Sequence, residues 1–236
     1  MKLEILDTTN DLATAAAEHF VELAQRESFT VALSGGSTPK LLYQTLADPN
    51  QPFREQVAWS NIHLFWSDER HVPPDHPDSN YRMAHEALLT RVPVPLANVH
   101  RIPSENPNAA EAAATYEQTL RQVTQQALPR LELILLGLGP DGHTASIFPA
   151  SDVLHETKRL VAAPWVEKLN TYRITMTLPL MNNAASVVFL VSGAEKAEIV
   201  KQVLQGQPER YPAQEVRPTN GELVWMLDKD AASKLN

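Results

Sequence analysis

In RLELILLGLGPDGHTASIFP, residues 130–149, four bulky apolar residues, Leu133–Leu136, run up to an abrupt break at Gly137. A short run of this kind closed by glycine reads as a strand buried on both faces, as inside a parallel sheet. The polar cluster Asp141, His143 and Thr144 follows at once, at the strand's C-terminal end. In open parallel α/β sheets ligands bind at that end, so these residues stand where chemistry is expected.

Glycine use repeats the pattern. The chain has only eight glycines in 236 residues, well below the usual ~7 %. Gly35, Gly36, Gly137, Gly139, Gly142 and Gly193 all follow predicted strands. A residue that tolerates positive φ and close backbone approach is thus concentrated at loop mouths. Ordinary tight turns would explain any one loop, but all three also carry hydroxyl, imidazole or ammonium groups.

The loop in FTVALSGGSTPKLLYQTL, residues 29–46, is the first of these. Residues 30–33 read as a strand, 34–37 as a glycine turn, and 38–47 as a helix with Pro39 in its first turn, where a missing N–H does no harm. Strand, glycine turn and helix N-terminus together hold phosphate: backbone N–H groups converge and the dipole adds about half a positive charge. Ser34, Gly35, Gly36, Ser37 and Thr38 form the predicted cradle, against the plainer reading of a helix capped after a turn. Neither GxGxxG nor a nucleotide-loop GKS/T is present, so a monophosphate suits this loop better than a dinucleotide or ATP.

A second predicted strand, 62–66, closes with Ser67, Asp68, Glu69 and Arg70. Three charges there are not expected to enter a core together. Asp68 and Arg70, two apart on an extended segment, share a side and suit either a carboxylate–guanidinium pair at a pocket mouth or a surface ion pair. A third strand, 186–191, ends in Ser192 and Gly193, and a helix from Ala194 carries Lys196 in its first turn. A lysine opposes the helix dipole there unless an anion lies nearby.

The remaining segments alternate similarly. Residues 2–6 form a short strand, and a helix capped by Asn10 or Asp11 runs to about Glu27. Residues 48–58 are a polar loop, Ser79 or Asn80 starts a helix with Met83, Ala87 and Leu88 inward, and 99–102 is a short strand. A long helix spans 106–127, strands span 160–163, 172–177 and 223–227, Arg173 opens the second of them, and Asp228 caps a last short helix. His71 and His76 read as solvated loop residues, since no third partner is spaced for zinc. The length fits one α/β domain, or one domain with an elaboration, and the buried strand runs suit a parallel sheet.

Composition limits the partners. A net charge of −8 argues against nucleic acid or an anionic membrane, but not against a small anion held by a few cations. No eighteen-residue apolar stretch and no basic-then-apolar leader is present, so a soluble protein without a cleaved export signal is expected. Zero cysteines exclude disulfides and thiolate metal sites and fit a reducing cytoplasm. The oligomeric state is left open between a monomer and a weak homodimer.

Three stretches, ALSGGSTP at 32–39, FWSDERHVPPDHPDSNY at 65–81 and LLGLGPDGHTASIFP at 135–149, together resemble the 6-phosphogluconolactonase family. RITMTLPLMN at 173–182, SGAEKA at 192–197 and VWMLDKDAA at 224–232 extend the likeness over nearly the whole chain. The resemblance implies an α/β fold of the glucosamine-6-phosphate deaminase and ribose-5-phosphate isomerase type, a three-layer, parallel-rich, Rossmann-like sheet with helices on both faces, in a single catalytic domain over residues 1–236. It also implies hydrolysis of 6-phospho-D-glucono-1,5-lactone to 6-phosphogluconate, a step of the pentose phosphate pathway, without metal or organic cofactor. By matching motif, His143 is the family's proposed catalytic base, and Arg70, Arg173 and Lys196 fall at its substrate-binding cations.

A δ-lactone is an activated ester, so no covalent nucleophile is needed and no GxSxG elbow is found. On this reading neutral His143 takes a proton from attacking water, Asp141 or Asp68 orients the imidazole or the water, and Arg173 with loop N–H groups steadies the oxyanion. Backbone donors from Ser34 to Ser37, with Arg70 and Lys196, hold the 6-phosphate, and Gly139 joins the substrate-binding set. The rivals are an amino-sugar-phosphate deaminase or sugar-phosphate isomerase of the same fold, and a silent sugar-phosphate binder. The deaminases continue their GHIAF stretch with Asn-Glu-Pro, whereas GHTASIFP here carries no carboxylate at that spot, which favours the lactone.

Overall fold

The structure, a computed structural model, describes residues 1–26 and 28–236. Its strands are β1 (Lys2–Leu6), β2 (Phe29–Leu33), β3 (Ile62–Trp66), β4 (Asp68–Arg70), β5 (Leu133–Leu136), β6 (Val161–Ala162), β7 (Trp165–Val166), β8 (Thr171–Met176), β9 (Ser186–Val191) and β10 (Glu222–Asp228). Among the described residues, six of them form one sheet in the order β1-β10-β9-β5-β2-β3. Every pairing in it is parallel.

Strands β2, β5 and β9 are buried at every residue. Because alternate side chains point to opposite faces, burial of both sets requires cover on both sides of the sheet. Helices such as Thr9–Leu23, Ser37–Ala47 and Ala197–Gln205 turn apolar faces into the same core. Phe189 and Trp225 stack at 3.9 Å between β9 and β10. Each fully buried Leu, Val or Phe of this core contributes about 1.5–3 kcal/mol.

A smaller antiparallel sheet, β4-β8-β6 with β7 paired to β8, leans against the first. The two join at Ser67, a buried residue between β3 and β4. Its N–H donates to the Leu33 carbonyl and its own carbonyl accepts from the Met176 N–H, each at 2.8 Å. One residue therefore passes the chain from one sheet to the other, and it delivers Asp68 and Arg70 to the edge of the first.

Several sequence expectations need correction. The first helix is capped by Thr8, whose hydroxyl accepts from the Asp11 N–H, rather than by Asn10 or Asp11, and its helical residues end at Leu23. The expected end at Glu27 lies outside the described residues. The loop 48–58 contains a one-turn helix, Phe53–Gln56, because Phe53 buries its ring. Residues 99–102 hold only a bridge from Val99 to Leu64, in a segment hemmed by prolines. The long helix is Ala109–Thr124: the Asn108 side chain caps it, accepting from the Ala110 and Glu111 N–H groups, and Gln125 leaves it in a left-handed conformation.

Candidate active site

Four loops leave the C-terminal ends of β2, β3, β5 and β9 and enclose a cavity of about 280 Å³. In the first, Gly36 sits at φ 107° and precedes the helix Ser37–Ala47, whose start has no side-chain cap. Among the described residues, the N–H groups of Gly35, Gly36, Ser37 and Thr38 find no protein acceptor. Ser34 differs from the expected donor set: its N–H donates to the buried Tyr43 hydroxyl, which donates back to the Ser34 carbonyl, each at 2.8 Å. A Cβ on Gly35 would collide with the Asn80 amide, so this turn needs glycine to approach its neighbour.

In the second loop two of the three charges turn inward while Arg70 stays partly exposed, and the expected Asp68–Arg70 pair does not form among the described residues. Asp68 and Glu69 are both buried. Glu69 accepts from the backbone N–H groups of Arg70, Asn80 and Tyr81 and from the Ser79 hydroxyl, while burial pushes its carboxyl up. Those bonds tie β4 to the helix Asn80–Ala84, which is how a carboxylate becomes tolerable inside. Asp68 and Arg70 make no ion pair among the described residues. Asp68 instead accepts from the Ser146 hydroxyl at 2.6 Å and the Asn80 amide at 3.2 Å, and Arg70 donates to the Asp78 carbonyl at 2.6 Å. Asp68, Arg70 and Asn80 all line the cavity.

The third loop is held by its own backbone. The Gly139 N–H donates to the His143 carbonyl at 2.8 Å, so it is occupied rather than free for a ligand. Gly139 serves by closeness, since a Cβ there would strike the His143 ring. The Thr144 hydroxyl donates to the Gly137 carbonyl at 2.9 Å and braces the loop. His143 lines the cavity. Its Nδ1 lies 2.5 Å from Asp141 Oδ1, and among the described residues Nε2 has no protein partner. Phe148 packs on the imidazole at 4.3 Å between ring centroids. Asp141 lies outside the cavity lining; burial alone would raise its carboxyl, but hydrogen bonds from Lys168 and His143 outweigh that and hold it at about 2.

In the fourth loop Gly193 sits at φ 97° and gives its N–H to the Asp228 carboxylate, which also caps the last helix. Lys196 stands at the end of the turn Ala194–Lys196, and its Nζ donates to the Leu138 carbonyl at 2.9 Å. The Ser192 and Thr38 hydroxyls meet at 2.7 Å and join the fourth loop to the first.

Arg173 stands apart from the lining. On β8 it pairs with Arg70 across the smaller sheet, and its guanidinium is pushed down by burial and by the neighbouring Arg70 charge. The expected cations thus divide into two at the cavity, Arg70 and Lys196, and one beside it. Asn80, Ser146, Glu195 and Lys168 went unassigned in the sequence reading, though Asn80, Ser146 and Glu195 lie inside quoted motifs. Glu195 shares the loop of Lys196, while Asn80, Ser146 and Lys168 reach their partners only through pairing between distant segments. Among the described residues no group of three or more His, Asp or Glu is disposed to hold a metal ion, and no helix is long and apolar enough to cross a membrane.

Residues 7–225 match the family described as glucosamine-6-phosphate isomerases/6-phosphogluconolactonase. A 6-phosphogluconolactonase of Synechocystis sp. is 45% identical over 218 residues, covering 90% of this chain and 87% of that protein. One from Haemophilus influenzae is 38% identical, covering 93% of each. The solved 6-phosphogluconolactonase of Trypanosoma brucei superposes with a TM-score of 0.86 at 31% identity, over 100% of this chain and 98% of that one. A monomeric glucosamine-6-phosphate deaminase also reaches 0.86, over 99% of this chain and 100% of that one, at 19% identity, a likeness of fold alone.

Proposed function

The chain belongs to the glucosamine-6-phosphate isomerase/6-phosphogluconolactonase family, and we propose that within it this protein hydrolyses 6-phospho-D-glucono-1,5-lactone to 6-phospho-D-gluconate. One observation carries the reading. A histidine whose Nδ1 is tied to a carboxylate faces, across one cavity, an uncapped helix N-terminus with unpaired N–H groups. The first is a base and the second an anion site, which is what a phosphorylated ester requires.

Asp141 fixes the imidazole with its proton on Nδ1 and leaves Nε2 as the basic atom. Nε2 takes a proton as water attacks the lactone carbonyl carbon. The ring C–O bond then breaks, and the imidazolium returns the proton to the departing ring oxygen. The 6-phosphate lies against the N–H groups of Gly35 to Thr38. Arg70 and Lys196 supply the positive field for the phosphate and for the oxyanion that forms at the carbonyl. Arg173, directly opposite Arg70 in the β4–β8 ladder and outside the cavity lining, acts on the substrate through Arg70 and not directly.

Asp68 receives a different task from Asp141. Fixed by Ser146 and Asn80 and facing the cavity, it suits a substrate hydroxyl or the attacking water. A chain without cysteine is compatible with a reducing compartment such as the cytoplasm.

The direct test is a continuous assay on freshly prepared lactone, corrected for its spontaneous hydrolysis, with glucosamine 6-phosphate as the control substrate. Turnover of the lactone alone is expected. Release of ammonia from the amino sugar, with no lactone turnover, would move the protein to the other branch of its family.

A further inference from the structure

We infer that Lys168 is a positioning residue for His143, acting through Asp141. This rests on the reading of His143 as the base. Lys168 comes from a distant segment, the turn Glu167–Leu169 at the tip of the hairpin between β7 and β8, and its Nζ pairs with Asp141 Oδ2. Asp141 Oδ1 is taken by His143 Nδ1 at 2.5 Å. The same ammonium lies 4.5 Å above the Phe148 ring, and that ring packs on the imidazole. Lys168, Asp141, His143 and Phe148 therefore close a ring of contacts drawn from two parts of the chain.

A half-exposed ion pair adds little stability. Its consequence is geometric and electrostatic. With each oxygen of Asp141 committed, the carboxylate cannot turn, so the Nδ1 proton and the direction of Nε2 are fixed. The ammonium also offsets the negative field that Asp141 alone would impose on the imidazole. The other charges around His143 lie across the cavity: Asp68, Arg70, Glu195 and Lys196. These belong to other loops and stay in place when Lys168 is removed. Loss of a nearby cation favours the protonated ring, so the base is then held in its inactive form up to a higher pH.

The experiment compares Lys168→Met and Lys168→Arg with the wild-type protein. For Lys168→Met, the acid limb of the kcat/KM profile is expected to move up by roughly half to one pH unit. Its kcat should fall by about 3- to 10-fold, with KM nearly unchanged, and Lys168→Arg should restore most of both. An NMR titration of the His143 Cε1–H, without substrate, reads the same coupling independently of turnover. A ring that titrates as in the wild type would overturn the inference, as would a change confined to KM, which would make Lys168 a substrate contact. Should the titration move in a protein with no lactonase activity, the coupling would stand and the lactone reading would fall.

Discussion

The Tyr43 hydroxyl holds both backbone groups of Ser34, accepting from its N–H and donating to its carbonyl, each at 2.8 Å. Tyr116 treats Trp66 the same way, at 2.7 and 3.0 Å. Both tyrosines are fully buried. Each fixes the point where a strand of the parallel sheet, β2 or β3, ends and a loop of the cavity begins, which is how a mobile kind of structure acquires a defined geometry.

Tyr43→Phe keeps the ring and removes the clamp. Two buried polar groups of Ser34 then lose their partner, at about 1–3 kcal/mol for such a group. A lower denaturation midpoint is expected, together with a KM raised several-fold, because the phosphate loop loses its anchor. Unchanged stability and KM would show that Ser34 needs no anchor.

Gly35→Ala tests the neighbouring contact. Its Cβ would meet the Asn80 amide, which is bonded to both the carbonyl and the carboxylate of Asp68. The displaced amide disturbs the phosphate loop and Asp68 together, so kcat/KM should fall by on the order of 10-fold or more. Activity close to wild type would mean that Asn80 and Asp68 tolerate displacement.

The sheet was readable in the sequence because its central strands carry an unambiguous signal. LILL and the VVFLV of β9 are unbroken apolar runs, closed by Gly137 and by Ser192–Gly193, and the strand ends were placed to within a residue. The cavity loops followed, since a parallel sheet gathers such ends on one side. What could not be read was which polar groups satisfy one another. The sequence did not tell which of Asp68, Glu69 and Arg70 turns inward, because the partners of Glu69, Ser79, Asn80 and Tyr81, become neighbours only when β4 pairs in a second sheet. The family resemblance implied a substrate-binding cation at Arg173, but its place beside Arg70 and outside the cavity lining could not be read, because the antiparallel register of β4 and β8 has no local signature.

Acid sensitivity should come from a site remote from the chemistry. His63 and His100 stack with ring centroids 5.3 Å apart and share a hydrogen bond at 3.0 Å. Burial, then the neighbouring His63, holds the His100 imidazole down at about 4. In the unfolded chain histidine titrates near ~6.5, so between these values the unfolded state binds more protons. Stability is therefore full above about pH 6.5 and falls as the pH drops toward 4, by on the order of 1–2 kcal/mol once partial exposure is allowed for. Urea denaturation at pH 7 and pH 4.5 should show a smaller difference for His100→Phe than for the wild type. Equal differences would remove His100 from the acid response.

The most direct measurement is the turnover of fresh 6-phosphogluconolactone by His143→Asn, alongside its affinity for 6-phosphogluconate. A base held by Asp141 and facing the anion site predicts a fall in kcat on the order of 10²-fold or more, with product still bound at near wild-type affinity. Near wild-type turnover in a variant that still binds the product would contradict the assignment.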